Sequence, residues 1–224
     1  MIRFQAVSKS YPATGHEALT HIDLHLAAGE MAFLTGHSGA GKSTLLKLIG
    51  RLETPTRGQL WVNGRNLNKL TARQIPHHRR QVGMIFQDHC LLPQRTVYNN
   101  VALPLVVAGV RHQDIRRRVQ AVLNKVGLAR KAGSYPISLS GGEQQRVGIA
   151  RALVSKPPIV LADEPTGNLD PELSRDIMAL FTEFNTVGVT LLIATHDINL
   201  IQPLGKRIVH LQQGRIQAAS TPDE

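Results

Sequence analysis

A glycine-rich segment at residues 36–44 has the residue types and spacing needed to hold phosphate. It reads Gly-His-Ser-Gly-Ala-Gly-Lys-Ser-Thr, follows an apolar run at residues 31–34, and precedes a predicted helix at residues 45–49. A strand that enters such a turn and leaves as a helix directs backbone N–H groups and the positive end of the helix dipole at one anion. The sequence therefore predicts a nucleotide phosphate site formed by Gly36, His37, Ser38, Gly39, Ala40, Gly41, Lys42, Ser43 and Thr44.

Two side chains of this segment are predicted to act on the bound nucleotide. Lys42 would reach the β and γ phosphates, which makes it a candidate catalytic residue, and the Ser43 hydroxyl would bind Mg²⁺. The glycines allow backbone angles and a close approach that a Cβ would prevent. Phosphoryl transfer from ATP depends mainly on positioning and charge neutralisation, so ATP and Mg²⁺ are the expected ligands.

Two adjacent carboxylates, Asp163 and Glu164, follow an apolar run at residues 159–162 and are followed by Pro165. Neighbouring residues of a regular strand point to opposite faces, so two carboxylates in a row suggest two roles. We predict that Asp163 holds the hydration shell of Mg²⁺ and that Glu164 is catalytic, orienting or deprotonating the attacking water. The alternative is a solvated pair at the end of a strand.

Polar residues also follow two other predicted strands. Gln87 comes after the short apolar run at residues 82–86, and His196 lies just beyond the apolar strand at residues 189–194. The carboxyl ends of parallel strands meet at one edge of a sheet, where α/β proteins bind their ligands. Both side chains are therefore expected near the phosphate segment, and His196 is a candidate catalytic residue.

The amino-terminal part of the chain is predicted to form an antiparallel edge. Strands are expected at residues 1–7 and 18–26, joined by a turn at residues 9–15, with a further strand at residues 58–62. An exposed aromatic side chain ahead of a phosphate loop can stack on a nucleotide base, which makes Tyr11 a candidate binding residue. The alternative is that Tyr11 only supports its own hairpin.

A second glycine-containing segment at residues 139–146 reads Leu-Ser-Gly-Gly-Glu-Gln-Gln-Arg and opens a helical pattern that continues to Val154. Ser140 and Glu143 have the spacing of a capping box, so one interpretation is a helix start and nothing more. Gly141 and Gly142 favour a further role, because they leave backbone N–H groups open to an approaching anion.

Strands and helices alternate along the chain, which predicts an α/β fold with a mostly parallel sheet covered by helices. A helix at residues 113–126 has one apolar face and ends before Gly127. Asp170 and Pro171 are typical of an N-cap and a first helical turn. The predicted buried face of that later helix is formed by Leu173, Ile177, Leu180, Phe181 and Phe184.

Composition restricts the class of protein. The chain has 224 residues, 42% of them hydrophobic, and its longest apolar stretch, at residues 101–110, contains Pro104 and is about half a membrane-spanning length. We expect a cytoplasmic protein, and the single cysteine, Cys90, fits a reducing compartment.

The net charge of +10 is compatible with several binding partners: lipid, nucleic acid, an acidic protein or the nucleotide itself. Only 4% of the residues are aromatic, which argues against nucleic acid as the primary partner.

Together these motifs resemble those of ABC-type ATPases, in the same order and over nearly the whole chain. The resemblance implies an ABC-type P-loop nucleotide-binding domain with a mostly parallel core sheet, an antiparallel β edge subdomain and an inserted α-helical subdomain. It implies a single domain over residues 1–224, with the helical subdomain at about residues 88–155.

The same resemblance implies that two copies of the chain dimerise around ATP. Ser140, Gly141 and Gly142 would then contact the nucleotide held by the partner subunit, and Asn168 and Asp170 would lie in a turn between the subunits. It further implies that Tyr11 stacks on adenine and that His196 contacts the γ-phosphate. Gln87 would be a metal ligand that links the Mg²⁺ site to the surface engaging a membrane partner.

Within ABC-type ATPases, several segments are similar to the FtsE family of cell-division ATPases: residues 36–41, 87–89, 95–98, 142–149, 183–185 and 197–201. This similarity implies an integral membrane partner, FtsX, and control of cell-wall hydrolysis by the division septum machinery. It also implies a peripheral location at the cytoplasmic face of the bacterial inner membrane, at the division site.

Two other classes of ATPase share parts of this pattern. Cys90 and the Leu-Pro-Gln step at residues 92–94 depart from the FtsE pattern, and this region also resembles the ATPase subunits of lipoprotein-release and macrolide-export transporters. Chromosome-organising ATPases share a Ser-Gly-Gly signature but separate their halves by a long coiled coil. Only about a hundred residues lie between Lys42 and Ser140, which argues against that class.

Overall fold

The computed structural model describes residues 1–11, 15–167 and 169–217. Its strands are β1 (Ile2–Tyr11), β2 (His16–Leu26), β3 (Met31–Thr35), β4 (Arg57–Val62), β5 (Arg65–Asn66), β6 (Val82–Ile85), β7 (Ile159–Asp163), β8 (Thr190–Ala194), β9 (Arg207–Gln212) and β10 (Arg215–Ile216). Its α-helices are α1 (Lys42–Ile49), α2 (Ile75–Arg79), α3 (Val97–Val107), α4 (His112–Lys125), α5 (Gly141–Leu153), α6 (Pro171–Thr186) and α7 (Ile198–Ile201). Short 3-10 turns lie at Leu67–Lys69, Ala129–Lys131, Pro136–Ser138 and Gln202–Leu204.

The central sheet has six strands in the order β10-β9-β3-β8-β7-β6. β9, β3, β8, β7 and β6 are parallel, and only β10 pairs antiparallel. All residues of β3 and β8 are buried, as expected of parallel strands covered on both faces. The carboxyl ends of β3, β6, β7 and β8 therefore share one edge, which is where the phosphate segment, Gln87, Asp163 and His196 emerge.

A second, antiparallel sheet has the order β2-β1-β4-β5. Ile2 lies opposite Leu26 on one side and Val62 on the other, and all three side chains are buried. The inner face of this sheet shares one apolar core with α1 and with one face of the central sheet. The position of α1, and of the phosphate segment before it, therefore depends on both sheets.

Helices α3, α4 and α5 pack on each other within the segment predicted to be helical. The apolar face predicted for α4 is buried in full, at Ile115, Val119, Val122, Leu123 and Val126. Thr96 is the N-cap of α3, and its hydroxyl accepts a hydrogen bond from the Asn99 N–H. The α/β fold class, with an antiparallel edge and added helices, is confirmed. The single-domain organisation of residues 1–224 and the helical boundaries at about 88–155 stay predictions.

Some predicted boundaries are wrong. β1 continues through Tyr11, so the turn predicted from residue 9 starts too early: irregular pairing carries the ladder to Tyr11 opposite His16. The remaining turn residues 12–14 lie outside the described part of the chain. α1 begins at Lys42 rather than at residue 45, because Gly41 turns the chain as its N-cap with a φ of 108°. In the described residues, no helix has both the length and the apolar character required to span a bilayer.

Acid is expected to destabilise the fold through His78 of α2, which is 1% exposed. Its Nε2 donates to the Ile49 carbonyl oxygen, 2.7 Å away, at the end of α1. Burial, helped by the charges of nearby arginines, lowers the pKa of His78 below its usual 6.5, although the bond to Ile49 opposes this. As the pH falls, this histidine is therefore protonated in the unfolded chain before it is protonated in the folded chain. The free energy of unfolding keeps its full value above pH about 6.5 and decreases as the pH drops below it.

Urea unfolding at about pH 7.5 and pH 5.5 checks this expectation. The His78→Gln variant should lose part of the acid-induced drop in the free energy of unfolding, since glutamine has no proton to gain. His77→Gln, at the exposed neighbouring position, is the matched control and should keep the drop. An unchanged pH dependence in His78→Gln would refute the assignment.

Candidate nucleotide site

The loop between β3 and α1 is shaped by its glycines. Gly36 and Gly41 have φ angles of 148° and 108°, and a Cβ at either position would press against backbone oxygens, of Leu211 and Ala18 respectively. Both positions therefore require glycine for conformation and for space. Gly41 has no side chain to cap α1, so the first N–H groups of the helix remain free to face an anion.

Lys42 lies across this loop. Its Nζ donates to the carbonyl oxygens of Gly36 and His37, at 2.7 and 3.3 Å, and lies 3.6 Å from a carboxylate oxygen of Glu164. The residue is 8% exposed, so its charge is held at one place. The ammonium group therefore lies between the phosphate loop and the end of β7. There it would contact the terminal phosphate of a nucleotide bound to the loop.

Asp163 is the last residue of β7, and its carboxylate accepts a hydrogen bond from the Ser43 hydroxyl. Burial raises the pKa of Asp163 above its usual range and the Glu164 charge adds to the effect, whereas Ser43, Lys42 and Lys47 oppose it. A hydroxyl and a carboxylate in contact are the hard oxygen ligands that Mg²⁺ prefers, and such sites complete the shell with waters and substrate phosphate. The donor set therefore fits Mg²⁺, whose charge would also favour the ionised form of Asp163.

Glu164 lies just beyond β7 and has a φ of 48°, an unusual backbone angle for a residue with a Cβ. Its N–H donates to the Ala194 carbonyl oxygen at 2.9 Å, which ties it to the end of β8. The carboxylate lies between two predicted catalytic residues: one oxygen is 3.6 Å from Lys42 Nζ and the other is 2.9 Å from His196 Nδ1. Glu164 thus joins the phosphate loop to the residue after β8.

The alternation of a regular strand ends at Glu164. Asp163 and Glu164 line the same pocket, because the left-handed backbone at Glu164 breaks the alternation of the strand. They still have different partners, since Asp163 contacts Ser43 whereas Glu164 contacts Lys42 and His196. Two distinct roles therefore remain consistent with the geometry.

One open pocket of about 630 Å³ collects most of the predicted residues. It is lined by Tyr11, Ala18, Ser38, Gly39, Ala40, Gly41, Lys42, Ser43, Thr44, Gln87, Asp163, Glu164 and His196. Gly36 and His37 are not in the lining but hold Lys42 through their carbonyl groups. Sequence reasoning missed Ala18, whose carbonyl lies against Gly41; no local signal marks an alanine in a strand as part of a site.

Tyr11 lies at the rim of this pocket, at the end of β1. Its ring centre is 4.8 Å from the ammonium group of Lys9, which also pairs with Glu53 at 2.8 Å. A cation over the ring is a favourable contact that holds the side chain in place. The position suits stacking on a base that extends from the phosphate loop, and this role stays a prediction.

Ser140, Gly141 and Gly142 are not among the residues that line the pocket of their own chain. Ser140 caps α5: its hydroxyl accepts from the Glu143 N–H at 3.3 Å, and the Glu143 carboxylate accepts from the Ser140 N–H at 3.0 Å. Lys131 also bonds to Glu143, and this bond is the main reason why the pKa of Glu143 is lowered. The capping box is thus confirmed, while Ser140 and Gly141 remain exposed to another molecule.

The turn predicted to lie between subunits is described only in part. Asp170 caps α6, since its carboxylate accepts a hydrogen bond from the Leu173 N–H at 2.9 Å. Asn168 lies outside the described residues. In α6 the predicted face is confirmed, with Ile177 and Phe181 buried and Leu173, Leu180 and Phe184 packed against the core.

Known proteins resemble this chain in sequence and in structure. The sequence model of the ABC transporter family matches residues 19–167. The chain is 61% identical, over 96% of its length and 97% of the relative's, to the cell division ATP-binding protein FtsE of Escherichia coli (strain K12). It is 49% identical, over 96% of its length and 94% of the relative's, to FtsE of Mycobacterium tuberculosis (strain ATCC 25618 / H37Rv).

Two solved structures of ABC cassettes superpose over the whole of both chains. One is a dimeric ATP-binding cassette in a post-hydrolysis state bound to ADP and Pi, with a TM-score of 0.93 and 36% identity. The other is a dimeric bacterial ABC transporter cassette, with a TM-score of 0.94 and 37% identity. The chain therefore belongs to the ABC transporter family of ATP-hydrolysing proteins, and over nearly all of its length it is similar to the FtsE proteins.

Proposed function

We propose that this chain binds ATP with Mg²⁺ in the pocket at the end of β3 and, as a dimer, uses its hydrolysis to drive an integral membrane partner, FtsX, in bacterial cell division. The observation that carries the site is the position of Glu164, which contacts both Lys42 and His196 next to the Ser43 and Asp163 pair. This arrangement brings an ammonium group, an imidazole, two carboxylates and a hydroxyl to one place, which supports the proposed roles in ATP hydrolysis.

In the proposed reaction, the loop N–H groups and Lys42 would hold the β and γ phosphates, and Ser43 and Asp163, with Gln87, would hold the metal. Bound Mg²⁺ supplies positive charge to the phosphate oxygens. Glu164 takes a proton from water as the water oxygen attacks the γ-phosphorus, and the bond to the β–γ bridging oxygen breaks to give ADP and phosphate. His196 holds the Glu164 carboxylate in place through the 2.9 Å contact and would reach the γ-phosphate.

The dimer is proposed because the start of α5 lies outside the pocket of its own chain. The exposed Ser140 and Gly141 present helix N–H groups, the type of donor that binds phosphate oxygens. The two superposed cassettes are described as dimeric, which supports closure of a second copy over the nucleotide. In such a dimer each α5 would cover the ATP of the other chain.

Gly141→Asp should lower ATP hydrolysis by a factor on the order of 100, comparable to the effect of removing one hydrogen-bond donor from a reacting oxyanion, without destabilising the monomer. A Cβ at Gly141 meets nothing within 4 Å, and an acidic residue suits the first turn of a helix. The carboxylate would, however, repel the γ-phosphate of the partner subunit. The measurements are steady-state ATPase activity, melting temperature, and the mass of the complex with ATP by light scattering.

Gly133→Asp is the matched control, since Gly133 is also exposed with open space around its Cβ position. It should dimerise and hydrolyse ATP as the parent does. A Gly141→Asp variant that dimerises with ATP and turns over at the parental rate would refute the role of α5 as a lid.

The partner is proposed from the relatives named as cell division ATP-binding proteins FtsE. Such a partner would place this chain peripherally, at the cytoplasmic face of the inner membrane and at the division septum. The test is to isolate the tagged chain from gently solubilised membranes and to identify its companions by mass spectrometry. Recovery of FtsX is expected, and recovery of a lipoprotein-release or macrolide-export permease in its place would overturn the assignment.

A further inference from the structure

Residues 86–96 connect β6 to α3, and their second half is fastened to α3 by Asn100. This side chain is fully buried, and its Oδ1 accepts from the Leu92 N–H at 2.8 Å. Its Nδ2 lies 3.1 Å from the Leu92, 3.0 Å from the Arg95 and 3.1 Å from the Thr96 carbonyl oxygens. Residues 92–96 are therefore part of the same rigid unit as α3.

A second set of hydrogen bonds holds residues 89 and 90, which are closer to Gln87 in the sequence. Arg151, in the last turn of α5, donates from Nη1 to the Cys90 carbonyl oxygen at 2.6 Å and from Nη2 to the His89 carbonyl oxygen at 2.7 Å. Both acceptor residues have left-handed backbones, with φ angles of 56° at His89 and 46° at Cys90, which non-glycine residues rarely adopt. The planar guanidinium matches two adjacent carbonyl groups in a way that an ammonium group does not.

The surface of α5 is shaped to accept this loop. Gly148 lies one turn before Arg151, and even a Cβ there would already be 3.7 Å from the His89 carbonyl oxygen. A larger side chain at that position would push the loop away from the helix. Residues 89 and 90 are thus held in place by contacts with α5, and residues 92–96 are held by contacts with α3.

Gln87, in contrast to residues 89 and 90, follows the part of the chain held by the central sheet. It follows β6, which pairs with β7 from Val82 opposite Ile159 to Ile85 opposite Ala162, and it faces the nucleotide pocket. Only Asp88, which is exposed, separates it from the two residues held by Arg151. The His89 N–H also donates to the Phe86 carbonyl oxygen at 3.2 Å, so the residues held by Arg151 are bonded to the segment that carries Gln87.

We propose that Arg151 is a positioning residue for ATP hydrolysis, which sets the place of Gln87 in the pocket by clamping residues 89 and 90 to α5. The other end of α5, about 16 Å away along the helix, carries Ser140 and Gly141. Through the clamp, contact of Ser140 and Gly141 with a partner's nucleotide changes the position of Gln87 in the pocket. The inference rests on the proposed function of Gln87 and of the start of α5.

Arg151→Met is the first test, because it keeps an unbranched apolar stem of similar character but removes both hydrogen bonds. We expect kcat for ATP hydrolysis to fall by roughly 2- to 30-fold, the range of energetic coupling through packed elements. The KM for ATP should change by less than about twofold, because the phosphate loop that binds ATP does not contact Arg151. Arg151→Lys keeps the charge but cannot donate to both carbonyl groups in the same paired geometry, so its kcat should lie between those of the parent and of Arg151→Met.

A double-mutant cycle separates positioning from general destabilisation. If Arg151 acts through Gln87, then Arg151→Met should have no further effect on kcat in a Gln87→Ala background. Arg117→Met is the matched control, since Arg117 is an exposed arginine of α4 paired with Asp114. It should leave kcat unchanged in both backgrounds. Additive losses in the cycle would overturn the proposal, as would a kcat in Arg151→Met equal to that of the parent.

Amide hydrogen exchange without nucleotide tests the clamp directly and does not depend on activity. Exchange should become faster at residues 88–91 in Arg151→Met, but not at residues 92–96, which Asn100 holds, nor in the phosphate loop. Unchanged exchange at residues 88–91 would refute the clamp. An inactive parent with the expected exchange pattern would instead refute the proposed function. If Arg151→Met does not fold, Arg151→Lys takes its place in both experiments.

Discussion

Glu164→Gln is expected to slow ATP hydrolysis by about 100- to 10,000-fold while ATP binding is retained, because glutamine cannot accept the proton of the attacking water. The glutamine has nearly the same size and keeps an oxygen that can face Lys42. Removal of the negative charge also reduces repulsion of the γ-phosphate, so the affinity for ATP should be equal to or higher than that of the parent.

The measurements for this variant are single-turnover hydrolysis and the binding of ATP by calorimetry. Glu172→Gln, at an exposed position in the first turn of α6, is the matched control and should keep parental turnover. With hydrolysis blocked, the dimer should accumulate when ATP is added, and light scattering would detect it. A Glu164→Gln variant that turned over at the parental rate would rule out Glu164 as the base.

Lys42→Met is expected to weaken ATP binding by about 10- to 150-fold, since a hydrogen bond to a charged group contributes roughly 1.5–3 kcal/mol. In the structure the ammonium group is already held by the carbonyl oxygens of Gly36 and His37 and lies near Glu164. Methionine fills the same space but leaves these acceptors and the bound phosphates without the cation. Calorimetric titration with ATP gives the change in affinity.

The control for the lysine is Lys47→Met, at an exposed position on the same helix. It should bind ATP within about twofold of the parent, because surface charges contribute little. Circular dichroism melting of both variants separates a loss of binding from a loss of fold. Parental ATP affinity in Lys42→Met would contradict the assignment of the phosphate site.

Local pattern was enough to predict most elements of the fold. The strand at Ile159–Asp163, the cap at Asp170 and the buried face of α4 follow from runs and spacings within a few residues, where periodicity directly reflects burial. The gathering of Lys42, Asp163 and His196 was also predictable, because parallel strands place their carboxyl ends at one edge. Their roles in catalysis stay predictions.

The limits of local pattern are visible at Tyr11 and Glu164. Polar residues and a proline predicted a turn, but pairing with β2 carries β1 on to Tyr11, since cross-strand contacts outweigh local preference. In a regular strand, the Glu164 side chain would lie on the opposite face from that of Asp163. The bond from its N–H to Ala194 accompanies a left-handed backbone that brings both carboxylates to one pocket.

By itself, the sequence determined the α/β fold class, the ABC transporter family and the residues that could bind phosphate and metal. Only the tertiary structure decided that Glu164 contacts both Lys42 and His196, and that Arg151 clamps the loop after Gln87. Lys42 and Glu164 are more than a hundred residues apart in the sequence, and they belong to different elements, α1 and the segment after β7. Contacts over such separations depend on how whole elements pack, and no local spacing of residue types encodes that packing.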